Sequence, residues 1–179
     1  MAEAFINSTT RAVGVVTTSS AGAVGVQTNL ITGITTTNVT VGDIVDNSNY
    51  IAGTKVSSIG VSSVTFDRDS TNTTAATSQT VKYLGLTTAY TSASGVKSII
   101  IGGTFANNTE SEVNLTVHLY DDSADLTPAI VSKIPVPNGS SFVLSDTGKT
   151  VMEEFDGIRV YCDTANAIDV QLGILKGVN

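Results

Sequence analysis

Along the 179-residue chain, apolar side chains come in short bursts, often spaced by two, between clusters of Gly, Ser, Thr, Asn and Asp. That spacing is the mark of strands with one buried face, joined by turns. The clearest case is residues 113–120. Val113, Leu115, Val117 and Leu119 share one face, and Asn114, Thr116, His118 and Tyr120 share the other. Before it, residues 96–106 form a long apolar strand. With a turn at Asn107-Asn108-Thr109-Glu110, the two segments read as an antiparallel hairpin. Residues 129–137 are extended, and Pro135 and Pro137 confine that end to a sheet edge. Asn138-Gly139 is the strongest turn dipeptide in the chain. A strand at 142–144, a turn at Asp146-Thr147-Gly148 and strands at 157–162 and 168–175 complete this half. The best helix candidate, residues 151–155, is at most one turn.

The first half has a different texture, rich in Thr, Gly and Val. Residues 1–10 are polar and read as an arm or a first edge strand. Residues 39–45 read as a strand kinked at Gly42, followed by a turn at 46–49. Residues 50–59 lead into another strand, and Val64-Thr65-Phe66 pairs back after a tight connection at 60–63. Residues 67–79 carry no hydrophobic period and read as a loop, with 80–84 closing the unit. The expected division is an arm at 1–10, a small β-domain at 11–85 and a β-sandwich domain at 86–179. The expected fold class is all-β, with an antiparallel sandwich or jelly-roll-like C-terminal half and a smaller β-rich N-terminal unit.

Composition sharpens this. Thr occurs 27 times and Ser 19 times, while charged residues are 14% and Trp is absent. Thr and Val fit a pleated surface because branching at Cβ restricts χ1 in a way strands tolerate. The net charge of −7 argues against nucleic-acid binding, which needs a basic footprint. Cys162 is the only cysteine, so an intramolecular disulfide framework is excluded. The first residues lack the charged and apolar regions of a signal peptide, and no stretch approaches 18 uninterrupted apolar residues. No membrane role is expected.

Two stretches carry a resemblance. The order Ile134-Pro135-Val136-Pro137-Asn138-Gly139, Phe142-Val143-Leu144, Glu153-Glu154-Phe155-Asp156-Gly157, Ile158-Arg159-Val160, then Ala165 to Val170, resembles small β-sandwich modules of tailed-bacteriophage virion proteins. In those modules the turn glycine precedes the acid, whereas here Gly157 follows Asp156. Residues 107–120 fit the same module. Thr40-Val41-Gly42-Asp43-Ile44-Val45, Ile51-Ala52-Gly53-Thr54-Lys55-Val56 and Val64-Thr65-Phe66 are similar to a β-motif common in phage and bacterial surface proteins. The resemblance implies a virion or surface β-module and carries no catalytic residues.

Candidate chemistry is sparse. His118, the only histidine, reads as an ordinary surface side chain on a polar strand face; no nucleophile-elbow motif accompanies it. Cys162 reads as a small core hydrophobe. Asp121, Asp122 and Asp125 offer oxygens that suit Ca²⁺, but the Gly and Glu of an EF-hand loop are missing, so a solvated Asx turn is the ordinary reading. Glu153, Glu154 and Asp156 invite a glycosidase reading, yet neighbours in one turn rarely face each other across a cleft. The polar stretch 67–74 has no phosphate-loop pattern and reads as a loop that touches a neighbour. The Asn-x-Ser/Thr matches at Asn7, Asn38, Asn72, Asn107, Asn114 and Asn138 follow from Thr/Ser richness.

The expectation is therefore a non-enzymatic virion structural protein, assembled in a host cytoplasm, with no catalytic site, no metal and no cofactor. Capsid decoration is the leading role, with the major capsid protein or other virion proteins as partners and a homo-oligomer, trimer included, as its state. A tail, neck or fibre component is the first alternative. A carbohydrate-binding host-recognition module is the second, with Tyr50 and Tyr90 as its sugar platforms; a hydrolase ranks last.

Overall fold

The computed structural model describes residues 3–145 and 149–178. Every regular element among them is a strand: β1 (Ala4–Val13), β2 (Val15–Val24), β3 (Leu30–Thr32), β4 (Ile44–Asp46), β5 (Val56–Ile59), β6 (Ser63–Phe66), β7 (Ala76–Gly85), β8 (Thr87–Thr91), β9 (Ser98–Asn107), β10 (Val113–Tyr120), β11 (Ala129–Val136), β12 (Ser141–Leu144), β13 (Thr150–Met152), β14 (Gly157–Cys162) and β15 (Ile168–Lys176). The chain is all-β and divides into two compact units. Unit 1 comprises Met1–Gly14 and Thr87–Asn179, and unit 2 comprises Val15–Leu86. Unit 2 is thus an insertion in the sequence of unit 1. The entry point is Gly14, at φ +130, where an added Cβ would collide with the Thr164 carbonyl oxygen and the Cys162 Sγ. Only glycine fits there.

Unit 1 is an antiparallel β-sandwich. One sheet has the order β1-β15-β9-β12, with β13 also paired to β9; the other has the order β11-β10-β14-β8. The inner faces fill the core. Ile100, Phe105, Leu172 and Ile174 come from the first sheet, and Leu115, Val117, Ile158 and Val160 from the second, all buried. Full burial of each such side chain contributes about 1.5–3 kcal/mol.

Unit 2 is one six-stranded antiparallel sheet of order β4-β7-β2-β3-β6-β5. Its two edges meet. Ile44 bridges Lys55, the Gly42 N–H donates to the Val56 carbonyl, the Val56 N–H to that of Asp43, and the Val45 N–H to that of Thr54. The sheet closes on itself as a small barrel, which removes its open edges. Register shifts in β2 against β7, with Ala21 in the left-handed region (φ 65), help the strand bend. Val64, Phe66, Val81 and Tyr83 lie in its core, with Tyr50 edge-on to Phe66 at 4.6 Å.

Several expectations change. The unit boundaries fall at 14/15 and 86/87 rather than 10/11 and 85/86. Of the two readings of residues 1–10, an arm or a first edge strand, the structure shows the edge strand, β1. Its Ala4, Ile6, Ser8 and Thr10 are half-buried, alternating with exposed Phe5, Asn7 and Thr9, so the strand has an inner face to pack. The expected β9–β10 hairpin does not form, because β9 pairs with β15, β12 and β13 while β10 pairs with β11 and β14. The chain turns a corner between sheets at Asn107. Its buried Nδ2 donates to the Ser111 and Val136 carbonyls at 2.8 and 2.9 Å, and its Oδ1 accepts the Thr109 N–H at 2.9 Å. Of the expected strand 39–45 only Ile44 and Val45 are strand, as the start of β4. Gly42 (φ +94) and the Asp43 carboxylate, which accepts the Thr40 N–H at 2.8 Å, hold the rest as a turn. The loop expected at 67–79 ends early, because β7 begins at Ala76 and pairs with Val24 there. The best helix candidate, residues 151–155, is the end of β13 followed by a turn, in keeping with the all-β expectation. The turn expected at 146–148 lies outside the described residues.

Candidate functional site

The most distinctive surface of unit 1 is the outer face of its β1-β15-β9-β12 sheet. Period-two alternation dictates what stands there. The inner set of β15 is Ile168, Val170, Leu172 and Ile174, which leaves Asp169, Gln171, Gly173 and Leu175 outside. From β1 come Phe5, Asn7 and Thr9, with Phe5 78% exposed. β9 adds Thr104 and Ile101, the latter standing where the β15–β9 register shifts, and β12 and β13 add Val143 and Val151. Phe5, Ile101, Val143 and Val151 are all exposed, a concentration of apolar surface that soluble proteins usually avoid unless it is used.

The face is shaped as well as apolar. Gly102 pairs with Gly173, and with no side chains there the sheet is left as a trough. A depression of about 420 Å³ lies over Phe5, Asn7, Gly102, Thr104 and Gly173. A second of about 380 Å³ continues it over Thr9, Arg11, Ala106 and Gln171. Arg11 and Asp169 are paired on this face at 3.5 Å. The Ala12 N–H, donating to Asp169 Oδ1 at 2.8 Å, holds that carboxyl below the usual carboxylate range, helped by Arg11.

The side chains singled out for chemistry lie elsewhere, and most hold turns. His118 is not on the surface. It is 6% exposed, on a central strand, and its ring packs at a steep angle against that of Tyr161 with centroids 5.4 Å apart. Thr116, on the same face, is also buried, and its Oγ1 accepts the Lys133 N–H. Cys162 is buried in the sandwich core beside the Thr164 carbonyl at 3.1 Å, and burial raises its thiol pKa. Asp121 forms an Asx-type turn, accepting the Ser123 hydroxyl and the Ala124 N–H, and these hydrogen bonds lower its pKa, the Ala124 contact most. Asp122 accepts the Tyr120 hydroxyl at 3.1 Å. Glu153 pairs with Lys97 at 3.0 Å, and Glu154 accepts the Gly95 N–H at 2.6 Å. Asp156 is buried and accepts the N–H groups of Asp122 and Glu153, both at 2.9 Å.

In unit 2 the polar stretch 67–74 is stitched to its surroundings. Asp67 accepts the Lys55 N–H, buried Ser70 accepts that of Thr28, and Asn72 donates to the Gly25 carbonyl. Tyr50 is buried, and Tyr90 is half-buried with its hydroxyl on Ser98 Oγ at 2.9 Å, so neither offers an open ring face for a sugar. Sequence reasoning missed the outer sheet face of unit 1 because its members are spread over five strands. The available signal was the exposed parity of β1 and β15 once their inner faces are assigned.

No family model matches the chain, and no curated protein matches it. Among solved structures, the Arthrobacter globiformis T6 isomalto-dextranase complexed with panose overlays on 97% of this chain at a TM-score of 0.25 and 12% identity. This chain spans 34% of that one, and an overlay at that score carries no argument.

Proposed function

We propose that the protein is a non-enzymatic structural component of a tailed-phage virion, and that its role is capsid decoration: it stabilises the head shell by surface contact. The observation that carries the contact mechanism is the outer sheet face of unit 1, with its exposed apolar side chains and its trough. The acidic side chains that invited catalytic readings are occupied in turns, which supports a scaffold rather than a reaction centre. The virion assignment draws its support from the sequence resemblance of residues 107–170 and 40–66 to virion β-modules. An exposed apolar face suits docking on a shell, because contact removes its apolar area from water.

The test is gold labelling of particles from cells that carry the encoding DNA, using an antibody against the folded chain. Label on expanded heads is the expected result. Label confined to tails reassigns the location, and label on no particle overturns the virion role. Ile101→Lys, which places a charge on the face, is expected to abolish head binding while the circular-dichroism spectrum stays that of the parent.

A further inference from the structure

The edges of unit 1 are unequal. Opposite β1, the first sheet ends in the short strands β12 and β13, four and three residues long. In the second sheet, β8 has five residues and a register shift against β14. β11 carries Pro135, exposed Lys133 in the left-handed region (φ 48) and two register shifts against β10. Each device deters pairing with another chain. β1 has none of them over residues 4–10. There its register to β15 is unbroken, with no proline and no charged side chain, and irregularity begins only after Thr10. Alternate N–H and C=O groups of a strand with one neighbour point away from that neighbour.

We propose that β1 pairs antiparallel with β1 of a second copy of this chain, across a twofold axis at Asn7. The unbroken stretch 4–10 is centred on Asn7, so this register uses all of it. Side chains of the same sheet face stand opposite each other: Phe5 faces Thr9, and Glu3 of one copy faces Arg11 of the other. Both charged residues are exposed. Arg11 turns its Nε to Asp169 and keeps further donors for a second carboxylate. Twofold symmetry makes this contact twice, an attractive pairing in a chain whose net charge otherwise repels a copy. Moving the axis to Phe5 or Thr9 sets Asn7 opposite Glu3 or Arg11 and breaks the match. Pairing closes the one long open edge and joins the two outer faces into one wider sheet. It does not rest on the virion reading.

Analytical ultracentrifugation of the full chain at low salt is expected to give twice the 18.4 kDa chain mass. Glu3→Arg, which sets like charges opposite each other twice, is expected to weaken the dimer roughly three- to thirty-fold. The double swap Glu3→Arg with Arg11→Glu is expected to restore it. Register is read by oxidative cross-linking. Asn7→Cys places two thiols on the axis within disulfide reach. Thr9→Cys places them four residues apart along the pair, about 14 Å, and is expected not to link. Buried Cys162 supplies the parent background. A monomeric parent overturns the proposal, as does equal linking by both cysteine variants or a double swap no tighter than the single. A monomer that still labels heads sinks the pairing alone, and a dimer that labels no particle sinks the virion role alone.

Discussion

Asp156 is the residue whose removal best tests the scaffold reading of the acidic turn. Its side chain is 7% exposed and spans two loops, with Oδ1 on the Asp122 N–H and Oδ2 on the Glu153 N–H, each at 2.9 Å. Its backbone adds a third tie, accepting the Ser92 N–H at 2.8 Å, which a substitution leaves in place. A hydrogen bond to a charged acceptor is worth about 1.5–3 kcal/mol net, so two give about 3–6 kcal/mol. Asp122 and Glu153 are exposed residues, and water reaches their freed N–H groups, which brings the expected loss for Asp156→Ala to about 3 kcal/mol. In a chain of 179 residues that corresponds to a fall in Tm of roughly 6–12 °C. Asp156→Asn keeps one carbonyl acceptor and turns an NH₂ toward the other N–H, so about half the loss or more is expected. Urea unfolding followed by circular dichroism reads both, with the midpoint falling and the slope unchanged. A loss under about 1 kcal/mol for Asp156→Ala, or an Asn variant equal to the parent, refutes the staple.

Other outcomes follow from the same bookkeeping of buried polar groups. Tyr83 is fully buried, and its hydroxyl has no hydrogen-bond partner among the described residues, so Tyr83→Phe is expected to leave stability unchanged or raise it by up to about 1 kcal/mol in urea unfolding; a loss of that size counts against it. Burial pushes the Tyr50 phenol up to about 12, with a further push from Asp69. Since the folded value is the raised one, its stabilising effect is whole below about 10 and is lost as pH rises toward 12, which tyrosinate absorbance and the unfolding midpoint should report together. Cys162 is expected to react with a thiol reagent only as fast as unit 1 opens, so fast labelling of the native protein contradicts its core position.

The strands were legible because period-two alternation and turn residues act locally. The partners were not. Alternation in residues 96–106 and 113–120 tells which side chains share a face, but a hairpin and a corner between facing sheets present the same pattern. The difference lies in Asn107, whose side chain satisfies carbonyls in two later segments. The same limit hid His118: period two assigned it to a polar face, and its packing against Tyr161 of the paired strand β14 does not show in that pattern. Residues 1–10 read equally as an arm or a first edge strand because Ser8 and Thr10, though polar, fill inner positions of β1. The barrel closure in unit 2 depends on backbone bonds between residues 42–45 and 54–56, for which no side-chain pattern codes.

One rule links many of the chain's acidic residues, Asp121 and Glu154 of the chemistry candidates among them. In a strand-and-turn chain, many turn N–H groups have no ladder partner and need acceptors. Here carboxylates serve: Asp43 for Thr40, Asp67 for Lys55, Asp121 for Ala124, Glu154 for Gly95, Asp163 for Asn114 and Asp169 for Ala12. Acid should therefore loosen the turns, and the pKa directions set the order. Asp121 and Asp169 are lowered, chiefly by the Ala124 and Ala12 N–H groups. A lowered folded value gives stability that is whole above the unfolded value and lost as pH falls below about 4. Asp43 runs the other way. Burial outweighs its Thr40 hydrogen bond and raises it, so it takes its proton first and folding gains as it does. The urea midpoint should hold or rise slightly as pH drops toward about 4, then fall, and Asp43→Asn should flatten the rise without touching the fall. A midpoint that stays level to about pH 2 means the turns are held by something other than these charges.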